Sequence, residues 1–323
     1  MKYYIFKRML ALIWMLLGIT LLVFLLLQLA PGDFLTPVKA QRDIQPEMIA
    51  RLEAEFGLDR PWYEQYFLWL KNVLHLNFGY SWTYKTPVLE LILQRAGATL
   101  ILSICSLTVA WVLAVVLGLL SAMHQGSWLD RLTSFLAYAS FSMPEFFLAL
   151  LAVWVAAKTG WFPVGGRTSI DYDFLAPAAK LLDLAHHLIL PVAVMSLGSV
   201  AGMMRVMRAN VLDVIRADYI TTARAKGLSE SVILFCHVLR SAINPLLSVV
   251  GFAISGLLSG SLIVENVMNY PGLGRLIYEA FTKEDQFVVL GSVVLGSALL
   301  VIGNLISDLL LAWSDPRIRY ENS

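Results

Sequence analysis

The chain has 323 residues, of which 58% are hydrophobic and 15% charged, with a mean hydropathy of +0.71 and a formal net charge of +1. This composition is far too apolar for a soluble domain, and the near-neutral charge gives no basis for nucleic-acid binding. Two cysteines provide neither a disulfide framework nor a zinc site, and both are expected to be buried or inert thiols. The sequence therefore predicts a protein that is embedded in the lipid bilayer and does not bind nucleic acid.

Six apolar runs that carry almost no charge are candidate membrane spans, since about 20 residues cross the hydrocarbon core as a helix. Only helices satisfy their own backbone hydrogen bonds in lipid, so the predicted fold is an all-α membrane protein with six transmembrane helices. The first run is too long for a signal-peptide core and has no small-residue cleavage site, so we expect it to remain as a span. The runs are 9–30, 96–123, 132–157, 188–204, 241–264 and 286–307.

Lys and Arg are unevenly distributed over the segments between these runs. With the N-terminus inside, the cytoplasmic segments hold twelve of the 24 basic residues and the two shorter external loops hold five. The other seven lie in residues 31–95, a segment long enough to translocate largely regardless of its charge. The positive-inside rule therefore predicts cytoplasmic N- and C-termini, with a first helix within 1–30 and a cytoplasmic tail at 314–323.

Residues 31–95 form the one sizeable polar portion, and the predicted orientation places them outside the cell membrane. Pro46 favours the start of a helix and Gly57 its end, while Pro61 favours a second start. The aromatic residues from Trp69 to Trp82 are typical of a belt at the lipid headgroups, and a ligand-stacking role is the alternative. We therefore expect a small helical lip packed on the membrane surface.

The predicted membrane core spans 96–313, and the third predicted span of the chain, 132–157, contains Pro144 and Glu145. Proline inside a span kinks the helix, and an ionisable group halfway across a membrane is costly and usually faces a partner or a water path. Both residues are therefore candidates for lining a translocation pathway. The alternative is that Glu145 pairs with a neighbouring helix for structural reasons. The core helices are predicted at about 96–123, 132–157, 188–204, 241–264 and 286–313.

The longest polar interruption of the second half is residues 216–245, called the helical loop below. Good helix formers precede Gly227, which suits the position just after a helix end because a positive φ costs glycine nothing. Ser229 can cap a second helix, with Glu230 in its first turn, and that helix is predicted to run to the end of the loop. Two helices around a glycine suggest a rigid element that docks to a cytoplasmic partner. An ordinary basic loop is the alternative.

The sequence contains no pattern for catalysis. No G-x-x-x-x-G-K-[ST] motif provides a phosphate cradle. His186 and His187 are adjacent and not four residues apart, and no set of acids and histidines forms a metal site. No Ser/His/Asp set can be argued. We therefore expect no catalytic residues, no metal and no cofactor, and a chain that is not an enzyme.

The ARAKGLSE sequence at 223–230 resembles the EAA loop of the membrane subunits of ATP-binding-cassette (ABC) importers, specifically the dipeptide, oligopeptide and nickel permease family. The match rests on Ala223 and Gly227, while Thr221 and Thr222 stand where the general motif has Glu and Ala. Further matches to the family are PGD at 31–33, FGLDRPWYEQYFLWL at 56–70, FGYS at 78–81, PGLGRL at 271–276 and DPRIRY at 315–320.

The resemblance implies a type I ABC importer transmembrane fold in which 205–240 is the cytoplasmic coupling loop. It implies a second homologous permease, expected as a heterodimer, two cytoplasmic ATPase subunits, and a periplasmic or lipid-anchored substrate-binding protein. The implied location is the inner (cytoplasmic) membrane, as a multi-pass protein. The residues expected to couple to the ATPases are Ala217, Asp218, Thr221, Thr222, Ala223, Lys226, Gly227, Leu228, Ser229 and Glu230.

The function implied by the resemblance is that of a permease subunit in a binding-protein-dependent importer of di- or oligopeptides, with ATP hydrolysed by separate subunits. Similar permeases serve nickel chelates or short oligosaccharides, and the sequence does not separate these substrates. A different class, an ion-coupled secondary transporter, predicts inverted repeats and several intramembrane acids. Only Glu145 lies deep in a predicted span, and no repeat relates the two halves.

Overall fold

The computed structural model describes residues 2–29, 35, 39, 46–246 and 262–314. Apart from one short hairpin, the regular secondary structure of this part of the chain is helical, as the sequence predicts. Most of the predicted fifth span and the PGD and DPRIRY matches lie outside the described residues. The chain divides into two compact units, described separately below: Met1–Thr99 with Pro271–Ile302, and Leu100–Tyr270 with Gly303–Ser323.

The first unit begins with three helices whose ends follow the predicted signals. Gly57, at φ 64°, terminates the second helix, and Pro61 immediately precedes the third. An antiparallel hairpin follows, which the all-α prediction did not include. The elements are α1 (Lys2–Leu29), α2 (Pro46–Phe56), α3 (Trp62–Leu74), β1 (Tyr80–Ser81) and β2 (Thr86–Pro87).

Two predicted spans have different bounds in the structure. Helix α4 (Val88–Met123) starts before the predicted second span, because its first residues, VLELILQR, are helix formers without Gly or Pro. The predicted third span is two helices, α5 (Trp128–Ser142) and α6 (Glu145–Thr159), which meet at 102°. Met143 between them is extended, with φ −89° and ψ 128°. A residue before proline avoids the helical conformation, and Pro144 has no N–H to continue the helix.

The predicted fourth span is also longer in the structure. Helix α7 (Pro177–Ile215) extends beyond 188–204 on both sides and incorporates Pro191. Residues 205–215 contain no Gly or Pro to end a helix, so the helix outlasts the apolar run and the predicted 205–240 loop begins inside α7. The elements that follow are α8 (Asp218–Ala225), α9 (Glu230–Val232), a π-helix (Ile233–Val238), α10 (Leu239–Ala242), α11 (Leu273–Thr282) and α12 (Gln286–Ser314).

In the first unit, helix α3 packs on α1 through aromatic and polar contacts. The Phe24 and Tyr66 rings are 5.5 Å apart between centroids and meet edge to face. The hydroxyls of Thr20 and Tyr66 share a hydrogen bond of 3.0 Å, and Gln28 Nε2 donates to Gln65 Oε1 at 2.9 Å. The rings supply buried apolar area and the buried hydroxyls satisfy each other, so α3 is attached to the first helix of the chain.

The hairpin is attached to the C-terminal part of the first unit. Ser81 Oγ donates a hydrogen bond of 2.6 Å to Asp285 Oδ2, and Tyr84 O–H donates one of 2.5 Å to Glu279 Oε2. Ser81 is fully buried, so the carboxylate at position 285 satisfies a group that would otherwise be costly to bury. The predicted helical lip therefore contains a hairpin held to α11 and to the start of α12.

The core of the second unit forms where α4, α7 and the helical loop meet. Met204, Met207 and Val211 of α7 are at most 1% exposed, and Ile220 and Ile233 of the helical loop are buried against the same cluster. Burial of apolar side chains is the main source of stability in such a cluster. The base of the helical loop is therefore part of the folded core of this unit.

Three helices of the described residues are long and apolar enough to cross a membrane, namely α4, α7 and the Gln286–Gly303 part of α12. The bent α5–α6 pair makes a fourth if it is counted as one span, and α1 contains a shorter apolar stretch, Ile13–Leu29. Because 247–261 lies outside the described residues, the count of six helices and the orientation of the termini stay predictions.

Candidate functional site

The helical loop begins directly at the end of α7. Only Arg216 and Ala217 separate α7 from α8. Ala217 is extended, with φ −72° and ψ 143°, and precedes the first helical residue, Asp218, whose negative charge complements the helix dipole. Helix α8 is therefore joined to the end of a long helix by a two-residue link.

Gly227 ends α8 in the left-handed conformation, as the sequence predicts, with φ 78°. Its N–H donates to the Arg224 carbonyl at 2.9 Å, and the Leu228 N–H donates to the Ala223 carbonyl at 3.3 Å. These two bonds form the Schellman arrangement and satisfy carbonyls at the helix end. No atom lies within 4 Å of the position that a Cβ at residue 227 would take. Backbone conformation alone, and not crowding, therefore favours glycine there.

Ser229 caps the second helix, as predicted, because its Oγ accepts a hydrogen bond of 3.5 Å from the Val232 N–H. Arg224 reaches across the glycine break and donates two hydrogen bonds to Glu230, of 2.8 and 3.2 Å. The hydrogen bond from Arg224 holds the pKa of the Glu230 carboxyl below its ordinary value. An ion pair in water contributes little to stability, so this contact mainly orients the two helices.

The second helix of the loop differs from the prediction in its middle and at its end. Ile233–Val238 is π-helical, and α10 ends at Ala242 instead of running to residue 245. Short π segments are rare and are frequently found at functional sites. Asn210 Nδ2 of α7 donates to the Ala242 carbonyl at 3.2 Å, which satisfies an acceptor at the helix end. Both ends of the loop are therefore connected to α7.

The predicted coupling residues separate into a buried base and an exposed surface. Ala223 is only 8% exposed and packs in the same cluster as Ile220, so it holds α8 on the protein. Ala217 is half-buried. The exposed residues, called the docking face below, are Asp218, Thr221, Thr222, Lys226, Gly227, Leu228, Ser229 and Glu230.

A cleft of about 590 Å³ lies beside the helical loop, between the turn after α4 and the second helix of the loop. Its rim is polar, and Arg216 donates a long hydrogen bond of 3.4 Å to Gln125 there. Leu212 and Ile233 contribute apolar surface. Within the described part of the chain, no group of three or more His, Cys, Asp and Glu residues could hold a metal ion.

The two pathway candidates lie at the break between α5 and α6. Pro144 is the N-cap residue of α6, with φ −59° and ψ 139°, and Glu145 is the first residue of that helix. The Glu145 side chain is half-buried and forms no ion pair with any residue that the structure describes. Its predicted pairing with a neighbouring helix is thus not found within this part of the chain.

Sequence reasoning missed a polar cluster at the ends of α4, α5 and α7, formed by Ser121, Gly126, Asp130 and Arg208 and called the Asp130 cluster below. Arg208 Nε donates to Asp130 Oδ1 at 2.8 Å, and its second guanidinium nitrogen donates to Oδ2 at 2.9 Å. Ser121 Oγ also donates to this carboxylate, as does the Gly126 N–H at 2.9 Å. The sequence did contain a signal for this pair. Asp130 lies just before one apolar run and Arg208 just after another, and both are on the predicted cytoplasmic side of the membrane.

Comparison of the chain with known proteins identifies its family. Residues 114–320 match the family described as "Binding-protein-dependent transport system inner membrane component", and residues 1–103 match the model for the N-terminal part of the membrane component of such systems.

Relatives align over nearly the whole chain. The "Oligopeptide transport system permease protein AppB" of Bacillus subtilis is 38% identical over 322 residues, covering 99% of this chain and 100% of the relative. The "Dipeptide transport system permease protein DppB" of Escherichia coli K12 is 34% identical over 338 residues, covering 99% of this chain and 100% of the relative. The "Di/tripeptide transport system permease protein DppB" of Pseudomonas aeruginosa is 33% identical over 332 residues, covering 98% and 99%.

These matches confirm the resemblance that the ARAKGLSE and PGLGRL sequences indicated. Both the helical loop and the bent α5–α6 pair lie within the region that matches the inner membrane component. The chain therefore belongs to the family of binding-protein-dependent transport system inner membrane components, as a permease of the ABC importer class.

Proposed function

We propose that this chain is a permease subunit that imports di- or oligopeptides and receives the movement of ATPase subunits through its docking face. The relatives' names supply the substrate class, since each of the three is named for the transport of peptides. The observation that supports the coupling role is the construction of the helical loop. An exposed surface around Gly227 stands on a base, Ile220 and Ala223, that is buried in the core of the second unit. A force applied to such a surface reaches the core instead of deforming a flexible loop.

The proposed partners follow from the importer class. They are a second homologous permease, which we expect to form a heterodimer with this chain, two cytoplasmic ATPase subunits, and a periplasmic or lipid-anchored substrate-binding protein. The distribution of Lys and Arg supports cytoplasmic termini in the inner (cytoplasmic) membrane, and this orientation places the docking face on the ATPase side. Closure of the ATPases would then rock the spans between inward- and outward-facing states.

The proposed function can be tested in the protein's own host, where its native partners are present. Deletion of its gene should abolish uptake of a radiolabelled dipeptide or tripeptide, and the full chain supplied from a plasmid should restore it. A tagged full chain purified in detergent should bring ATPase subunits with it, and the preparation should hydrolyse ATP. This activity would come from the partners, because the chain itself has no phosphate-binding motif. Unchanged peptide uptake in the deletion strain would contradict the proposed substrate class. A wild-type preparation without ATPase subunits would contradict the proposed assembly.

We further propose that Glu145 faces the translocation pathway. Its half-buried position at the first residue of α6, without an ion-pair partner in the described residues, supports this placement. If the Glu145 carboxylate contributes about 1.4 kcal/mol to the passage of peptide, its loss corresponds to a tenfold change. Glu145→Gln should therefore lower peptide uptake roughly tenfold at unchanged yield of the assembled complex. Glu47→Gln, at an exposed position of α2, is the matched control and should leave uptake unchanged. Loss of the assembled complex in Glu145→Gln alone would instead support the structural role.

A further inference from the structure

The Asp130 cluster connects three helices at one carboxylate. Ser121 belongs to α4, Asp130 to α5 and Arg208 to α7, while Gly126 lies in the turn between α4 and α5. Asp130 is 5% exposed, and its two oxygens receive four hydrogen bonds from these groups. The side chain that ties the helices together is thus almost completely removed from water.

The chemistry of this contact restricts how the helices can move. The guanidinium of Arg208 donates to both oxygens of Asp130, so it fixes the orientation of the carboxylate as well as its distance. Separating this pair is costly, because Asp130 would stay buried without its partner, although the Arg208 side chain is 29% exposed. The ends of α5 and α7 are therefore expected to move together and not to slide past each other.

A second, independent contact holds α4 against α7 nearby. Gly118 of α4 faces Met207, the residue next to Arg208, so closely that a Cβ at position 118 would lie 2.8 Å from the Met207 Cβ and 3.0 Å from the Met204 carbonyl oxygen. Such a distance requires glycine and brings the two helix backbones into close contact. Close packing at Gly118 and hydrogen bonding at Asp130 thus restrain the same ends of α4 and α7.

The position of the cluster along the chain connects the docking face with the bent helix pair. Arg208 precedes the end of α7 by two helical turns, and a two-residue link then leads to α8. On the other side, Asp130 is in the first turn of α5, whose far end is the 102° break that precedes Glu145. A displacement of the helical loop would be applied to α7 and transferred at Asp130 to α5.

We propose that Asp130 and Arg208 are a positioning pair that transfers movement of the helical loop from α7 to α5, and so to the break before Glu145. This inference rests on the proposed function, since it requires that ATPase subunits move the helical loop. Neither residue contacts substrate in this account. Their role is to keep α5 and α7 moving as one body.

The test uses the complete complex, purified through a tag on this chain and reconstituted in vesicles of Escherichia coli polar lipid with its substrate-binding protein. The double variant Asp130→Asn with Arg208→Gln removes both charges, keeps similar side-chain sizes and leaves no buried charge without its partner. The measurement is the amount of labelled dipeptide imported for each ATP hydrolysed. Arg131→Gln is the matched control, because Arg131 is an exposed cation next to Asp130 on α5 and is not part of the Asp130 cluster.

The double variant is expected to assemble at wild-type yield and to hydrolyse ATP at a similar rate, while dipeptide import for each ATP falls about tenfold, within the usual range of coupling between sites. Arg208→Lys keeps the charge but not the two-point contact, so it should give a smaller fall. An unchanged import ratio in the double variant would overturn the proposal. A parallel loss of complex yield, hydrolysis and import would also overturn it, by showing a purely structural role. Absence of ATPase from the wild-type complex would contradict the proposed function instead.

Discussion

Gly227→Val is expected to abolish peptide uptake while leaving the permease in the membrane at normal amounts. Gly227 has φ 78°, and a side chain in the left-handed region costs about 1–2 kcal/mol for an ordinary residue. No neighbouring atom would be displaced, because nothing lies within 4 Å of the new Cβ. The strain is too small to unfold the helices, but it is relieved by a change in the path from α8 to α9. The docking face would then be presented at a different angle.

Gly160→Val provides the matched control for this variant. Gly160 also follows a helix, has φ 66° and has no atom within 4 Å of a Cβ position. The same backbone strain is thus introduced at the end of α6, away from the helical loop. Uptake of labelled dipeptide and the amount of ATPase that co-purifies should be near normal for Gly160→Val and strongly reduced for Gly227→Val. Equal behaviour of the two variants would remove the special role of the helical loop.

Arg208→Ala is expected to be among the most destabilising single substitutions in the second unit. It leaves Asp130, which is 5% exposed, without its cationic partner, and although Ser121 and Gly126 still donate to the carboxylate, the loss of such a partner costs about 1–3 kcal/mol. The permease should accumulate poorly, and the small amount in the membrane should denature at lower temperature. The measurement is the yield of purified permease and its thermal unfolding in detergent.

Arg205→Ala, one helical turn away, should be much milder. Arg205 is exposed and lies 5.4 and 5.5 Å from the centroids of the Tyr138 and Phe141 rings, a contact worth about 0.5–1 kcal/mol at an exposed site. Its yield and unfolding temperature should therefore stay close to those of the wild type. If Arg208→Ala is as stable as Arg205→Ala, the Asp130 cluster does not hold the helix ends together.

Local signals in the sequence predicted the local features of the candidate site correctly. The ends and starts of helices at Gly57, Gly227 and Ser229 were predictable because a positive φ or a capping oxygen depends on one residue and its immediate neighbours. The second, fourth and sixth predicted spans lie in helices that are long and apolar enough to cross a membrane, because hydropathy reports directly which residues can face lipid.

Helix lengths and the bend were predicted less well, because hydropathy marks the apolar part of a helix and not its ends. Helices α4 and α7 continue through polar residues that form helix equally well, so the structure extends them beyond their apolar runs. At Met143–Pro144, backbone sterics indicated an interruption, but the angle of 102° depends on how α5 and α6 pack and not on the local sequence.

Long-range contacts were not predictable from a single sequence. Asp130 and Arg208 are 78 residues apart, and neither has a neighbour that identifies the other as its partner. Ala223 was expected to couple to the ATPases. Its burial against Ile220 and the core was not predictable from the sequence, because that burial follows from tertiary packing. Ala223→Asp should consequently detach α8 from its own chain, which makes it a poor probe of a partner contact. The exposure of Cys236 also depends on tertiary packing, so the sequence did not separate a buried thiol from an exposed one there.

We expect an ATPase subunit to bind the docking face, and site-directed cross-linking tests this contact most directly. Leu228 is 41% exposed and follows Gly227, so Leu228→Cys in a chain with Cys105→Ser and Cys236→Ser gives one thiol on that face. A photoactivatable thiol reagent applied to inside-out membrane vesicles should produce an adduct that contains peptides of a subunit with a phosphate-binding G-x-x-x-x-G-K-[ST] motif. Glu53→Cys in the same background, on the predicted external side, should give none. An adduct with the ATPase from position 53 and none from position 228 would contradict both the orientation and the docking role.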